Sequence, residues 1–76
     1  MRERWAQVMA AEFEHLQHNT AAGQPTLLSG YGATSPAEFF AVASEVFFEQ
    51  PQPLAAQHPA LFAELSRFYR LNPLSW

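Results

Sequence analysis

The sequence predicts an all-α fold with three main helices, at residues 2–19, 36–49 and 59–71, and a long loop over 20–35. Three observations predict it. Apolar residues recur at three- and four-residue steps in each of those stretches. No segment shows the period-two alternation of a half-buried strand. The central stretch opens on Ser35-Pro36-Ala37-Glu38, in which an N-cap serine, a first-turn proline and a glutamate three residues on mark a helix start.

The first helix carries Trp5, Val8, Met9, Phe13 and Leu16 as one stripe, with Glu12 inside it. Glu3, Arg4, Gln7, Glu14, His15 and His18 fall mostly on the other side, which reads as a solvated face. Asn19 through Gly23 supplies a C-terminal stop. No cap precedes Arg2, so the helix begins abruptly, as expected of a chain that extends upstream. In the loop, Gly30 and Gly32 flank Tyr31 and are expected to free the backbone to aim that ring. A loop of this length in so small a domain is usually functional or disordered.

Projected at about 100° per residue, the central helix gathers Phe39, Phe40, Val42, Ala43, Val46 and Phe47 into one apolar arc. Glu38, Glu45 and Glu49 share a second arc, with Ala41 beside them. Phe48 points away from the apolar arc, so this helix is expected to be covered on more than one face. It must stop near Gln50-Pro51-Gln52-Pro53, because proline cannot continue the hydrogen-bond ladder. Residues 53–58 read as one short turn, and His58 as a capping residue before the last helix. That helix presents Leu61, Phe62, Leu65, Phe68 and Tyr69 on one face. Arg67 and Arg70 lie in its final turns, where cations favour the dipole.

Composition narrows the function. The chain has 76 residues, four arginines, no lysine, no cysteine and a formal charge of −3. Without cysteine there is neither a disulfide nor a thiolate metal site. Without a basic stripe nucleic-acid binding is not expected. No apolar run approaches the roughly 20 residues that span a bilayer, and the N-terminus lacks a signal-peptide pattern, so a cytoplasmic location is expected. Aromatic residues make up 14% of the chain, as much as all charged residues together. That is more apolar material than a domain of this size easily hides, and it predicts a partner surface.

The run from Tyr31 through Glu38-Phe39-Phe40-Ala41-Val42-Ala43-Ser44-Glu45-Val46-Phe47-Phe48-Glu49 closely resembles the C-terminal region of the Mlc titration factor A family. The likeness continues through Pro51, His58-Pro59-Ala60-Leu61-Phe62 and Arg67-Phe68-Tyr69-Arg70-Leu71-Asn72-Pro73, and covers residues 29–74. Members of that family are bacterial zinc metallopeptidases whose catalytic domain is similar to that of anthrax lethal factor. The resemblance implies that Glu38 is the third protein ligand of a zinc ion whose two histidines come from an H-E-x-x-H helix, and that Tyr31 points its hydroxyl at the metal site. Peptide substrates and the Mlc repressor are the partners it implies.

Local sequence offers blander roles: Glu38 as the N3 member of the capping box, Tyr31 as a packing anchor. Glu45 lies two turns from Glu38, about 10.5 Å along the axis. Zinc ligand bonds are about 2 Å, so Glu45 cannot share the ion and at best holds a ligand or another segment in place. Glu49 reads as solvated. No H-E-x-x-H occurs. Residues 14–18 read Glu-His-Leu-Gln-His, with the glutamate on the wrong side.

The expectation is therefore a single helical segment, residues 1–76, of a larger zincin-like domain, lacking the upstream zinc-binding helix. The isolated chain is expected to be catalytically silent and to hold no zinc of useful affinity. The alternative is a non-enzymatic helical module that self-associates through its exposed aromatics.

Overall fold

Three prolines open helices and two left-handed residues close them. The computed structural model describes residues 2–75. Helix α1 spans Arg2–Ala21, α2 Pro36–Glu49, α3 Pro51–Gln57 and α4 Pro59–Tyr69; short 3₁₀ turns occupy Gly30–Ala33 and Pro73–Ser75. Among the described residues no strand forms.

Two boundaries differ from expectation. Where one turn was expected, Pro51–Gln57 forms a helix, because Gln50 and His58 do the same job twice. Each precedes a proline that bars it from the α region. Each adopts φ −136°, with ψ 61° and 63°, and each serves as last cap of one helix and first cap of the next. Proline at the first helical position costs nothing there, so the chain breaks for one residue and resumes. The last helix ends at Tyr69 rather than 71, since Arg70 turns left-handed (φ 57°, ψ 42°). The Leu71 N–H then donates to the Ser66 carbonyl at 3.1 Å. Helix α1 closes in the same way on Gly23 (φ 73°). Gln24 N–H donates to Asn19 O and Gly23 N–H to Thr20 O, at 2.9 and 3.1 Å, the bond pair of a Schellman stop.

The core follows the arc read from the sequence. Phe39, Val42, Ala43, Val46 and Phe47 of α2 are buried, with Phe40 half-buried at the edge. Leu54 of α3 and Leu61, Phe62 and Leu65 of α4 close over them, and Leu16 and Leu28 complete the cluster. Tyr69 stacks on Phe47 at 5.7 Å and shares a 2.8 Å hydrogen bond between its hydroxyl and that of Ser44. Phe48 remains 40% exposed, edge-on to Phe47 and Tyr69.

Helix α1 is attached differently. Of its stripe only Leu16 is buried, while Trp5, Val8, Met9 and Phe13 are half-buried. Polar ties hold it along its length. Arg4 Nε donates to Glu64 Oε2 at 2.9 Å, His58 Nδ1 lies 2.8 Å from Glu12 Oε1, and Gln17 Nε2 donates to the Ala33 carbonyl at 3.2 Å. Glu64, on the inner face of α4 and 2% exposed, also accepts from Arg67 Nη1 at 3.1 Å.

Candidate functional site

The loop before α2 is built to hold one side chain outward. Residues 30–33 close a 3₁₀ turn in which Ser29 Oγ accepts from the Tyr31 N–H at 3.2 Å. The Tyr31 carbonyl accepts from both the N–H and the hydroxyl of Thr34, at 3.2 and 2.8 Å. With its backbone fixed on both sides, the Tyr31 ring projects and is 64% exposed. Against the described residues, then, the ring is not a packing anchor. Its glycines act otherwise than expected. Neither has a positive φ. They matter for close approach: a Cβ on buried Gly32 would meet Leu16 Cδ2 and Val42 Cβ, both at 3.2 Å. The turn thus seats against α1 and α2, and Tyr31 is aimed by packing rather than by backbone freedom.

Thr34 and Ser35 lead directly into α2. Ser35 Oγ accepts from the Glu38 N–H at 3.2 Å. The reciprocal arm of a capping box, from the Glu38 carboxylate back to the Ser35 N–H, does not form. Among the described residues that half-buried carboxylate has no hydrogen-bond or ion-pair partner. Capping thus falls to Ser35 alone. Beyond it Ala41, Glu45 and Glu49 are exposed, as the second arc requires, and Glu45 contacts no ligand-bearing side chain.

What this corner can do alone is limited by its donors. Among the described residues no three His, Asp or Glu side chains gather where they could hold a metal ion. One carboxylate of a suitable kind is present, and the nitrogen donors of a His₂–carboxylate zinc site are not beside it. His15 and His18 lie exposed on α1, as expected of a solvated face.

One arrangement escaped sequence reasoning. His58 occupies a cap position by its backbone, but its ring makes no capping bond and reaches instead to Glu12. With His15, Asn19, Thr26 and Gln57 the pair lines a cleft between α1 and the α3–α4 corner. Neither Tyr31 nor Glu38 borders it, so it is separate from the corner above. The available signal was a carboxylate embedded in an apolar stripe, and Glu64, between Leu61 and Leu65, gave the same signal.

Among the described residues the start of α2 thus offers one carboxylate and, in the turn before it, one exposed phenol, without a full metal donor set. Comparison with known proteins adds the family. The family model for glucose-regulated metallo-peptidase M90 matches residues 1–70, and the chain belongs to that family. An uncharacterized protein of Synechocystis sp. is 42% identical over 72 residues, which is 95% of this chain and 26% of the relative. Mlc titration factor A of Edwardsiella ictaluri is 39% identical over 72 residues, covering 92% of this chain and 28% of that protein. The Serratia proteamaculans protein of the same name is 38% identical over 73 residues, 93% of this chain and 28% of its own length. The chain thus spans about a quarter of the length of the curated relatives it matches. No solved structure matches it. No described helix is long and apolar enough to cross a membrane.

Proposed function

We propose that this chain is the ligand-completing helical segment of a zinc-dependent peptidase of the Mlc titration factor A type, contributing Glu38 to the metal and Tyr31 to the reacting carbonyl. The observation that supports the reading is the Glu38 carboxylate, which makes no hydrogen bond or ion pair among the described residues: it stands at the start of α2 in a turn already capped by Ser35, with its oxygens not closed off from solvent and so available to a ligand.

A zinc ion held there together with two histidines supplied from elsewhere would provide Lewis-acid activation of water against a peptide bond. Since this chain does not carry those histidines in place, no step is assigned to it alone. Its own residues have two tasks. Glu38 presents a carboxylate from the rigid first turn of a helix whose opposite face is locked in the core. Tyr31, held by Ser29 and Thr34, offers an exposed hydroxyl that can donate a hydrogen bond to the oxygen on which negative charge develops during attack. Glu45, one face along, is assigned to steadying a neighbouring segment. Peptides are the proposed substrates, the Mlc repressor a proposed partner on the strength of the relatives' name, and the cytoplasm the proposed location.

The test joins two preparations. The isolated chain is expected to bind zinc weakly and to lack peptidase activity. The same chain spliced into Serratia proteamaculans Mlc titration factor A in place of the matched segment should carry zinc, and should lose it on Glu38→Gln. Stoichiometric zinc with turnover in the isolated chain would refute this reading, as would full zinc content in the spliced Glu38→Gln variant. A second reading, a non-enzymatic module that self-associates, is favoured by one observation: Phe68 is a large aromatic left 55% exposed. Sedimentation of the isolated chain at micromolar concentration as a folded monomer would remove it.

A further inference from the structure

Helix α1 does not close fully on the rest of the fold. Between it, the start of α2 and the end of α4 runs an apolar groove, whose walls include Trp5, Met9, Phe13, Phe40 and Phe68. Phe68 stands on its lip, stacked on Trp5 at 5.0 Å and edge-on to Phe40 at 5.5 Å. Ala10, exposed, and Pro36 border the same groove. The aromatic surplus evident in the composition is therefore gathered into one feature rather than scattered.

We infer that this groove is the seam on which the remainder of the longer family chain packs, and that the segment seated in it is apolar and runs to the start of α2. The inference rests on the peptidase reading given above. The relatives matched by more than nine-tenths of this chain are about three and a half times as long, so in them this helical unit adjoins some three-quarters of a protein. Segments of one domain join through apolar contact, whereas the outer face of α2 presents Glu45 and Glu49 to solvent. The half-buried stripe of α1 then has its reason: its second side is completed by other sequence.

The chain contains no cysteine, which makes the seam easy to read. Ala10→Cys places a thiol at the groove on an exposed position, and Ala22→Cys places one beyond the end of α1, away from it. Both are prepared in the isolated chain and in the chain spliced into the Serratia relative, with that protein's own cysteines replaced by serine, and folding is checked by circular dichroism. A water-soluble maleimide is the probe. The expected result is rapid labelling of both thiols in the isolated chain and slowing by about ten-fold or more at position 10 alone in the spliced protein, since labelling follows exposure of the thiolate. Equal rates at position 10 in the two proteins would overturn the seam. Protection of position 10 in the isolated chain at micromolar concentration would also overturn it, because a second copy would then fill the groove. Zinc content of the spliced Glu38→Gln protein is read separately, so a failed metal assignment and a failed seam give different results.

Discussion

Gly32 is where fold and site meet, and its replacement by alanine tests whether packing aims Tyr31. The added methyl would lie 3.2 Å from Leu16 Cδ2 and 3.2 Å from Val42 Cβ. Leu16 is 6% exposed and Val42 9%, and a Cβ moves only with its backbone, so α2 or the turn must shift. Overpacking of that kind costs about 1–3 kcal/mol. Against it stands the stiffer unfolded chain, worth about 0.4–1 kcal/mol for Gly→Ala where φ is already negative. The net expectation is a loss of about 1–2 kcal/mol, which at about 4–8 °C per kcal/mol for a domain of this size lowers Tm by about 5–15 °C. Gly30→Ala is the control. Its methyl would meet only the side chain of exposed Thr20, with Cγ2 at 3.1 Å, and that side chain can rotate away. It should be neutral or slightly stabilising. Thermal melts followed by circular dichroism compare the two. If both variants melt together, the turn is not seated by close approach, and the reason given for the outward Tyr31 fails.

Other expectations follow from single contacts. Arg70→Gly should stabilise by about 0.5–1 kcal/mol in denaturant titration, because Arg70 holds a left-handed conformation that costs an L side chain about that much; no change would mean the stop is unstrained. Arg4→Met and Arg67→Met should each cost about 1 kcal/mol, since Glu64 keeps one partner in either case. Combined, they leave a carboxylate that is 2% exposed unpaired, and about 3–5 kcal/mol should be lost, more than the sum; simple additivity would show that the charge finds another partner. Ser35→Ala should cost about 1 kcal/mol as a lost N-cap, while Glu38→Gln should change stability by less than about 0.5 kcal/mol, because its carboxylate closes no capping box. A comparable loss from both would restore the plain capping role to Glu38.

Much of the fold was legible because the periodicities were strong. The α2 arc buried the residues the projection assigned to it, and Gly23 stopped α1 where the Asn-Gly stretch said it would. What escaped were effects one sequence does not display. A proline pair was read as a break, when X-Pro at 50–51 and again at 58–59 interrupts a helix for one residue and then starts another. Arg70 ended α4 early in a conformation usually given to glycine, and nothing in its identity announces that. The ties of Glu12 to His58 and of Glu64 to Arg4 join residues 46 and 60 positions apart, beyond the reach of any local pattern. At the candidate site the sequence supplied the residue types and the resemblance their roles. The structure added the bonding state: a cap satisfied by serine and a phenol fixed by its own turn.

That bonding state separates this chain's carboxylates into two groups. Glu12 and Glu64 each lie in an apolar stripe and each has a cationic or imidazole partner within 3.1 Å, so the fold satisfies the charges it buries. Glu3, Glu14, Glu45 and Glu49 are exposed. Glu38 stands between the two, half-buried as a residue and without a partner among the described residues, yet with oxygens not closed off from solvent. Its place in the first turn lets the positive end of α2 offset part of the cost, as for any first-turn carboxylate. Glu38 shares the outer arc of α2 with Glu45 and Glu49, whereas the apolar groove is bordered by Pro36 and Phe40 on another side of the same helix. A metal placed on the one and a segment seated in the other would thus approach α2 from different directions, and the two assignments stand or fall separately.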